Sequence, residues 1–165
     1  TVIKDGYHGD TSAMFIVGET TPLRRQLCKV AQESLYAAIK QVRPGMCITE
    51  IGAVIQPIVE KAGFSVVRDY CGHGIGAEFH EEPQILHYRN GGKQELKPGM
   101  CFTIEPMVNS KKYHCKVNPK DGWTVTTKDG GDSAQWEHTL LVTEDGCEVL
   151  TLRPDDTIDR LIKHG

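Results

Sequence analysis

The sequence lacks the features that mark several large protein classes. It has no run of about 18 apolar residues, so no transmembrane helix is predicted, and its first residues carry no signal-peptide pattern. Charge of neither sign dominates, with 19 Lys and Arg against 22 Asp and Glu and a net charge of −3. This balance gives no bulk electrostatic reason to expect binding to nucleic acids or membranes.

The cysteines are not spaced as a metal or disulfide framework would require. Six of them are scattered along the chain, and no two form a C-x-x-C pair. A zinc ribbon needs such pairs, and a disulfide-stabilised domain needs a denser set. We therefore expect reduced thiols and a cytoplasmic protein.

What is present matches an ordinary globular domain, with 165 residues of which 39% are hydrophobic. The pattern predicts a hairpin over 1–17 that turns at Asp5-Gly6. It then predicts a helix with Thr20 or Thr21 as N-cap and a second helix over 49–63. Short strands are predicted at 64–68, 101–108, 123–128, 134–143 and 148–152, with a last short helix over 155–162. Helices followed by strands indicate an α+β fold.

Two of the predicted strands carry an acidic residue in a predominantly apolar sequence. Glu105 lies within 101–108 and Glu137 within 134–142. A carboxylate inside a buried sheet is costly unless it is paired or bound to a metal. For either residue alone, an exposed sheet face or a set of hydrogen bonds would be the simpler interpretation.

Three further residues favour a metal site. His73 stands between glycines in GHG at 72–74, where a backbone without side chains would let a ligand approach a loop closely. His80 follows in FHEEP at 79–83. Asp10 directly follows Gly9. One His, one Asp and two Glu from four segments form an oxygen-rich ligand set. Such a set suits Mn, Fe or Co better than a structural zinc.

The motifs together resemble the bacterial type I methionine aminopeptidases. They run in order over essentially the whole chain: HGDTS at 8–12, YCGHGIG at 70–76, FHEEP at 79–83, KPGM at 97–100, FTIEP at 102–106, DGW at 121–123 and QWEHT at 135–139. The resemblance implies the pita-bread (creatinase/aminopeptidase) fold, a curved antiparallel sheet covered by helices. Residues 1–18 would then be a hairpin of the first half of that fold, and 19–165 its second half.

The resemblance also implies the roles of individual residues. Asp10 and Glu137 would bridge two divalent metal ions (Co, Mn, Fe or Zn), and His73 and Glu105 would complete one metal site. Glu105 would relay protons while a metal-activated hydroxide attacks the peptide bond. His80 would hydrogen-bond the scissile carbonyl, and the pocket for the methionine side chain would be lined by Phe79 and Trp123.

The resemblance further implies a monomeric enzyme, when intact, that removes the initiator methionine from nascent chains. By this resemblance, the second metal site would need another aspartate, at a position before Thr1, and the rest of the first half of the fold would also precede Thr1. We therefore expect the isolated chain to hold one complete metal site and to have little or no activity.

Two alternatives to this function stay open from the sequence. One is a noncatalytic pita-bread relative that binds peptides or proteins, and the other is a proline-specific aminopeptidase. A single basic cluster is either a solvated loop or a contact to ribosomal RNA. It consists of Lys111, Lys112, Lys116 and Lys120.

Overall fold

Two helices form the α part of the structure, and both begin where the sequence predicts. The computed structural model describes residues 1–164. Helix α1 spans Pro22–Ile39, and the Thr21 side chain caps it by accepting a hydrogen bond from the Arg24 N–H at 3.3 Å. Helix α2 spans Thr49–Lys61 with Pro57 inside it. Gly63, at φ +83°, follows α2 in the left-handed conformation that glycine adopts at low cost.

The predicted hairpin exists but is shorter than expected. Strands β1 (Val2–Lys4) and β2 (Tyr7–Gly9) pair antiparallel, and both turn residues, Asp5 and Gly6, have positive φ. Beyond Gly9 the chain leaves the ladder. The prediction of a second arm reaching Val17 was therefore wrong. This segment instead lies against another part of the sheet, where Ser12 forms an isolated bridge to Glu137.

The remaining strands form one six-stranded sheet, one three-stranded sheet and a separate hairpin. The six-stranded sheet has the order β13-β12-β11-β6-β4-β5, the three-stranded sheet has the order β10-β7-β3, and β8 pairs with β9, all antiparallel. The strands are β3 (Ser65–Val66), β4 (Gly72–Gly74), β5 (Glu81–Ile85), β6 (Cys101–Ile104), β7 (Met107–Asn109), β8 (Cys115–Val117), β9 (Val125–Thr127), β10 (Ser133–Gln135), β11 (His138–Val142), β12 (Gly146–Val149) and β13 (Leu161–Lys163).

Two strands predicted as continuous are each divided in the middle. The first breaks at Glu105-Pro106, between β6 and β7, and the second breaks at Trp136-Glu137, between β10 and β11. Proline has no N–H to give to a ladder, which accounts for the first break. The two sheets therefore meet along a line that contains both acidic residues.

The predicted last helix is wrong. Leu161–Lys163 is strand β13, which pairs with β12 at the edge of the six-stranded sheet. The prediction took Pro154 as a helix start. In the structure the Asp156 side chain accepts a hydrogen bond from the Arg153 N–H at 2.6 Å, which holds a turn at this position.

The core lies between the helices and the sheets. The inward faces of α1 and α2 contribute Leu35, Ile39 and Ile55, and the sheet contributes Phe102 and Leu140, all fully buried. This packing fixes the sheet, and with it the line at which the strands break. Within the described part of the chain, no helix combines the length and apolar character needed to cross a membrane.

Candidate metal centre

Metal-ligating side chains from three separate segments converge at the line where the strands break. One ligand atom from each of Asp10, His73 and Glu137 lies within 4.8 Å of the others. Glu105 joins them, since its Oε1 is 3.4 Å from His73 Nε2. The structure thus brings together all four residues that the sequence analysis selected as ligands.

The position of Glu105 opposite Glu137 follows from strand register. Ile104 pairs with His138 on one side of the break, and Met107 pairs with Gln135 on the other. The same register, continued across the break, sets Glu105 opposite Glu137. Residues directly opposed in antiparallel strands point to the same face, so the two carboxylates face the same space.

Hydrogen bonds fix the Glu105 carboxylate from both sides. Thr103 Oγ1 donates to Oε1 at 2.8 Å, and Gln135 Nε2 donates to Oε2 at 3.1 Å. The backbone N–H of Glu105, which has left the β6 ladder, donates to His87 Nε2 at 3.1 Å. His87 is fully buried, and burial lowers its pKa to about 3, so the ring is neutral and able to accept this bond.

His73 is oriented by its own strand. Its Nδ1 lies 3.0 Å from the carbonyl oxygen of Gly74 and donates to it in the tautomer that leaves Nε2 unprotonated. The His73 backbone N–H donates to Thr103 Oγ1 at 3.0 Å, the same hydroxyl that donates to Glu105. Thr103 therefore sets the spacing of His73 and Glu105.

The glycines beside His73 serve the sheet itself. His73 lies within β4, not in a loop as the sequence analysis expected. A Cβ on Gly72 would lie 2.4 Å from the Thr103 carbonyl oxygen, and one on Gly74 would lie 2.2 Å from that of Glu82. The glycines thus allow close approach of neighbouring backbones, which is a different reason from the predicted approach of a ligand.

Asp10 reaches the centre from the segment after β2. Its backbone is fastened to β11 by Thr139, whose Oγ1 donates to the Asp10 carbonyl oxygen at 2.7 Å. Its carboxylate accepts a hydrogen bond from Thr1 Oγ1 at 2.9 Å.

Burial dominates the electrostatics of the centre. Burial, with a smaller contribution from the Asp10 carboxylate, raises the pKa of Glu105 to about 7, although hydrogen bonds from Thr103 and Gln135 oppose the shift. Burial, together with the charges of Glu105 and Asp10, raises the pKa of Glu137 to about 8. Burial lowers the pKa of His73. Near neutral pH the centre therefore opposes the ionised forms of Glu105 and Glu137, chiefly because both carboxyl groups are buried.

These residues fit a divalent cation. Glu137 is only 5% exposed, and its Oε1 has no hydrogen-bond partner in the described part of the chain. A buried carboxylate oxygen without a partner is costly, and a cation would compensate for it. Three carboxylates and one imidazole form a donor set suited to Mn, Fe, Co or Zn.

Two of the three residues predicted to contact a substrate lie beside the centre, and the third lies in a different part of the fold. Phe79 and His80 lie beside the centre, with the His80 ring centroid 4.3 Å from that of His73. Trp123 lies in the β8–β9 hairpin, is 85% exposed, and lines a groove that shares Tyr70 with a neighbouring cleft. That cleft, of about 600 Å³, reaches Gln135 next to Glu105.

Several residues of the centre escaped the sequence analysis. Thr103 and Gln135 each stand two positions from a selected glutamate, so period-two alternation puts each of them on the same strand face as that glutamate. No local sequence pattern indicates their hydrogen bonds to Glu105. Likewise, nothing in the sequence around His87 indicates that it contacts the Glu105 backbone.

Comparisons with known proteins agree with this geometry. The sequence model of metallopeptidase family M24 matches residues 1–144. The methionine aminopeptidase of Escherichia coli strain K12 is 62% identical over 165 residues, which are 99% of this chain and 62% of that protein. The chain thus spans less than two thirds of the length of this relative.

Solved structures show the same fold. The methionine aminopeptidase of Rickettsia prowazekii superimposes with a TM-score of 0.88 at 50% identity, covering 91% of this chain and 61% of that one. The prolidase of Pyrococcus furiosus superimposes with a TM-score of 0.69 at 27% identity, covering 90% and 38%. The predicted α+β fold of pita-bread type is confirmed.

The raised pKa values of the glutamates predict how stability depends on pH without metal. A carboxyl whose pKa is higher in the folded state contributes stability that is fully present below its unfolded pKa, near 4.5, and is lost as pH rises through 7 to 8. We expect metal-free Glu137→Gln to be close to the wild-type chain in stability at pH 4 and to be more stable than it at pH 8.5. The difference at pH 8.5 should be on the order of a few kcal/mol.

Urea unfolding of both proteins in EDTA at the two pH values measures this. The lowered pKa values of His87 and His138 act in the opposite direction, but they are common to both proteins and cancel in the difference. A variant that is less stable than wild type at pH 8.5 would contradict the account of Glu137.

Proposed function

Because this chain belongs to metallopeptidase family M24, we propose that it acts in metal-dependent removal of N-terminal methionine from polypeptides. The observation that carries the proposal is the convergence of Asp10, His73 and Glu137, with Glu105 beside them. The 62% identity to the Escherichia coli methionine aminopeptidase supports methionine as the residue removed.

We propose that Asp10, His73, Glu105 and Glu137 hold a divalent metal ion, with Mn, Co, Fe and Zn as candidates. The partnerless Glu137 Oε1 supports this assignment. A bound divalent metal would lower the pKa of water and polarise the substrate carbonyl. The described residues offer ligands for one complete site of this kind.

The protein's own groups would then move the protons. Glu105, with its pKa raised to about 7, is suited both to accept a proton from water and to give one to the leaving amine near neutral pH. Thr103 and Gln135 hold the two oxygens of its carboxylate in place during that exchange. His80, beside His73, would donate a hydrogen bond to the scissile carbonyl, and Phe79 and Trp123 would line the methionine pocket.

The two alternatives are less well supported. A noncatalytic binding protein would have no need for four convergent ligands with partly compensated carboxylates. A proline-specific peptidase shares the fold, as the prolidase superposition indicates, but at lower identity than the methionine enzymes.

We also propose that the protein works in the cytoplasm on nascent chains and contacts the ribosome. The support is an exposed loop around β8 that carries the lysine cluster. Next to it, Arg68 stacks on Tyr113 at 4.4 Å, and Tyr113 stacks on His114. Cations interleaved with stacked rings suit contact with RNA.

The first test is activity. In the complete protein as its cell makes it, Glu105→Gln should reduce the release of methionine from Met-Ala-Ser with Mn²⁺ at least 100-fold, because the amide cannot take a proton. Glu148→Gln, in β12 and remote from the centre, should have little effect. Faster cleavage of Ala-Pro-Ala by the wild-type protein would favour the proline-specific alternative, and no cleavage of either peptide would favour the binding protein.

The second test is metal binding by the 165-residue chain. Isothermal titration with Mn²⁺ should give one tight site per chain at pH 7.5, since only one complete set of ligands is described. Glu137→Gln should weaken this site at least 10-fold. Two tight sites on the wild-type chain would contradict the ligand count.

The third test concerns the ribosome. Replacing Lys111, Lys112, Lys116 and Lys120 by Glu should abolish cosedimentation with ribosomes at low salt. The same change at Lys29 in α1 and at Lys40, just after α1, should not. Contacts to phosphate depend on positive charge, so binding should also weaken as salt increases. Cosedimentation that survives reversal of all four charges would exclude this contact.

A further inference from the structure

A buried polar cluster lies behind strand β11 and takes no part in the proposed chemistry. At its centre is Asp156, whose side chain is 1% exposed. It accepts hydrogen bonds from Tyr36 Oη in α1 at 2.6 Å and from the Arg153 backbone N–H at 2.6 Å, and its Oδ2 lies 3.3 Å from His138 Nε2. The C-terminal segment is thereby fastened to both a helix and the sheet.

Asp156 also fixes the guanidinium of Arg153. Arg153 Nη2 donates to Asp156 Oδ1 at 3.2 Å, and the guanidinium lies 5.4 Å from the centre of the Trp136 ring. A planar group held by a buried carboxylate and an aromatic ring has little freedom to move. Its Nη1 therefore points in a fixed direction.

That donor meets the segment that carries Asp10. Arg153 Nη1 donates to Thr11 Oγ1 at 2.7 Å and lies 3.4 Å from the Ser12 carbonyl oxygen. Thr11 Oγ1 in turn donates to the carbonyl oxygen of Glu137 at 2.8 Å, and the Glu137 N–H donates to that of Ser12 at 3.1 Å. Arg153 thus touches the two residues that join Asp10 to Glu137.

Apart from the Thr139 hydroxyl, which is hydrogen-bonded to the Asp10 backbone, this segment has little other support. Residues 10–18 belong to no strand, and the β1–β2 hairpin before them is exposed, with Val2 and Ile3 each more than 60% exposed. A ligand carried by such a segment keeps its place only through fixed hydrogen bonds, because few packed side chains restrain it.

We propose that Arg153 is a positioning residue for the metal centre, which holds the Asp10 segment against Glu137 through Thr11 and Ser12. The proposal rests on the proposed function in that it takes Asp10 and Glu137 to be metal ligands. Groups that orient ligands without touching the metal typically change its affinity 10- to 100-fold when removed. Arg153 therefore sets metal affinity from the far side of β11.

The test compares metal affinity with stability in three variants of the 165-residue chain. Arg153→Met removes the positioning group. Thr11→Val removes the hydroxyl that accepts the Arg153 hydrogen bond and passes it on to the Glu137 carbonyl oxygen, and it leaves the Asp156 cluster intact. Arg160→Met is the matched control. Arg160 also donates to a backbone carbonyl oxygen, but that oxygen belongs to Val149, and its ion pair is with Glu148. Mn²⁺ affinity is measured by isothermal titration at 15 °C, and folding is checked by circular dichroism.

We expect Mn²⁺ to bind Arg153→Met and Thr11→Val 10- to 100-fold more weakly than wild type, and Arg160→Met within 3-fold of it. The Mn²⁺ affinity of the double variant Thr11→Val/Arg153→Met should fall by no more than about the larger of the two losses seen in the single variants, because both changes break the same connection. The electron paramagnetic resonance spectrum of bound Mn²⁺ should change in the first two variants and not in the control, which a general loss of stability would not produce.

Each outcome bears on one proposal. If wild type fails to bind Mn²⁺, the proposed function fails. If wild type binds and Thr11→Val binds equally well, the positioning role of Arg153 is overturned, even where Arg153→Met does not fold. Arg160→Met weakening the site as much as Arg153→Met would also overturn it.

Discussion

The structure depends on one constraint: two antiparallel strand pairs break at the same place without losing register. Ile104 pairs with His138 before the break and Met107 pairs with Gln135 after it, so Glu105 and Glu137 face each other where neither belongs to a ladder. The break frees backbone groups that other residues then satisfy, as His87 does for the Glu105 N–H. Sheet geometry therefore both assembles the metal centre and defines which groups must support it.

This arrangement is costly to fold and useful for binding. Burial raises the pKa of both glutamates, which means that the folded chain opposes their ionised forms. Only part of that cost is compensated by Thr103 and Gln135, since Glu137 Oε1 is left without a partner. A cation binds more tightly to such a centre, because it offsets the cost of burying ionised carboxylates close to one another.

Support for the centre comes from regions far apart in the sequence. His73 is oriented by the Gly74 carbonyl within β4, and the Asp10 segment is held by Thr139 and by Arg153 near the C-terminus. Each of these groups holds the backbone or the orientation of a proposed ligand residue, and it leaves free the ligand atom that would bind the metal. The four ligands thus depend on most of the chain, which accounts for a fold conserved in outline between this chain and the solved enzymes it resembles.

The sequence by itself determined the helix starts, the α+β class and the four proposed ligand residues, because caps, apolar periodicity and acids in apolar strands are local signals. It did not predict that β6/β7 and β10/β11 divide, that His73 lies in a strand, or that 161–163 is a strand. It also missed His87, Gln135 and Arg153 as supports. These features follow from register and from contacts such as Arg153 to Thr11, across 142 positions. Only the tertiary structure decides them, because no local pattern records which distant backbone group lacks a partner.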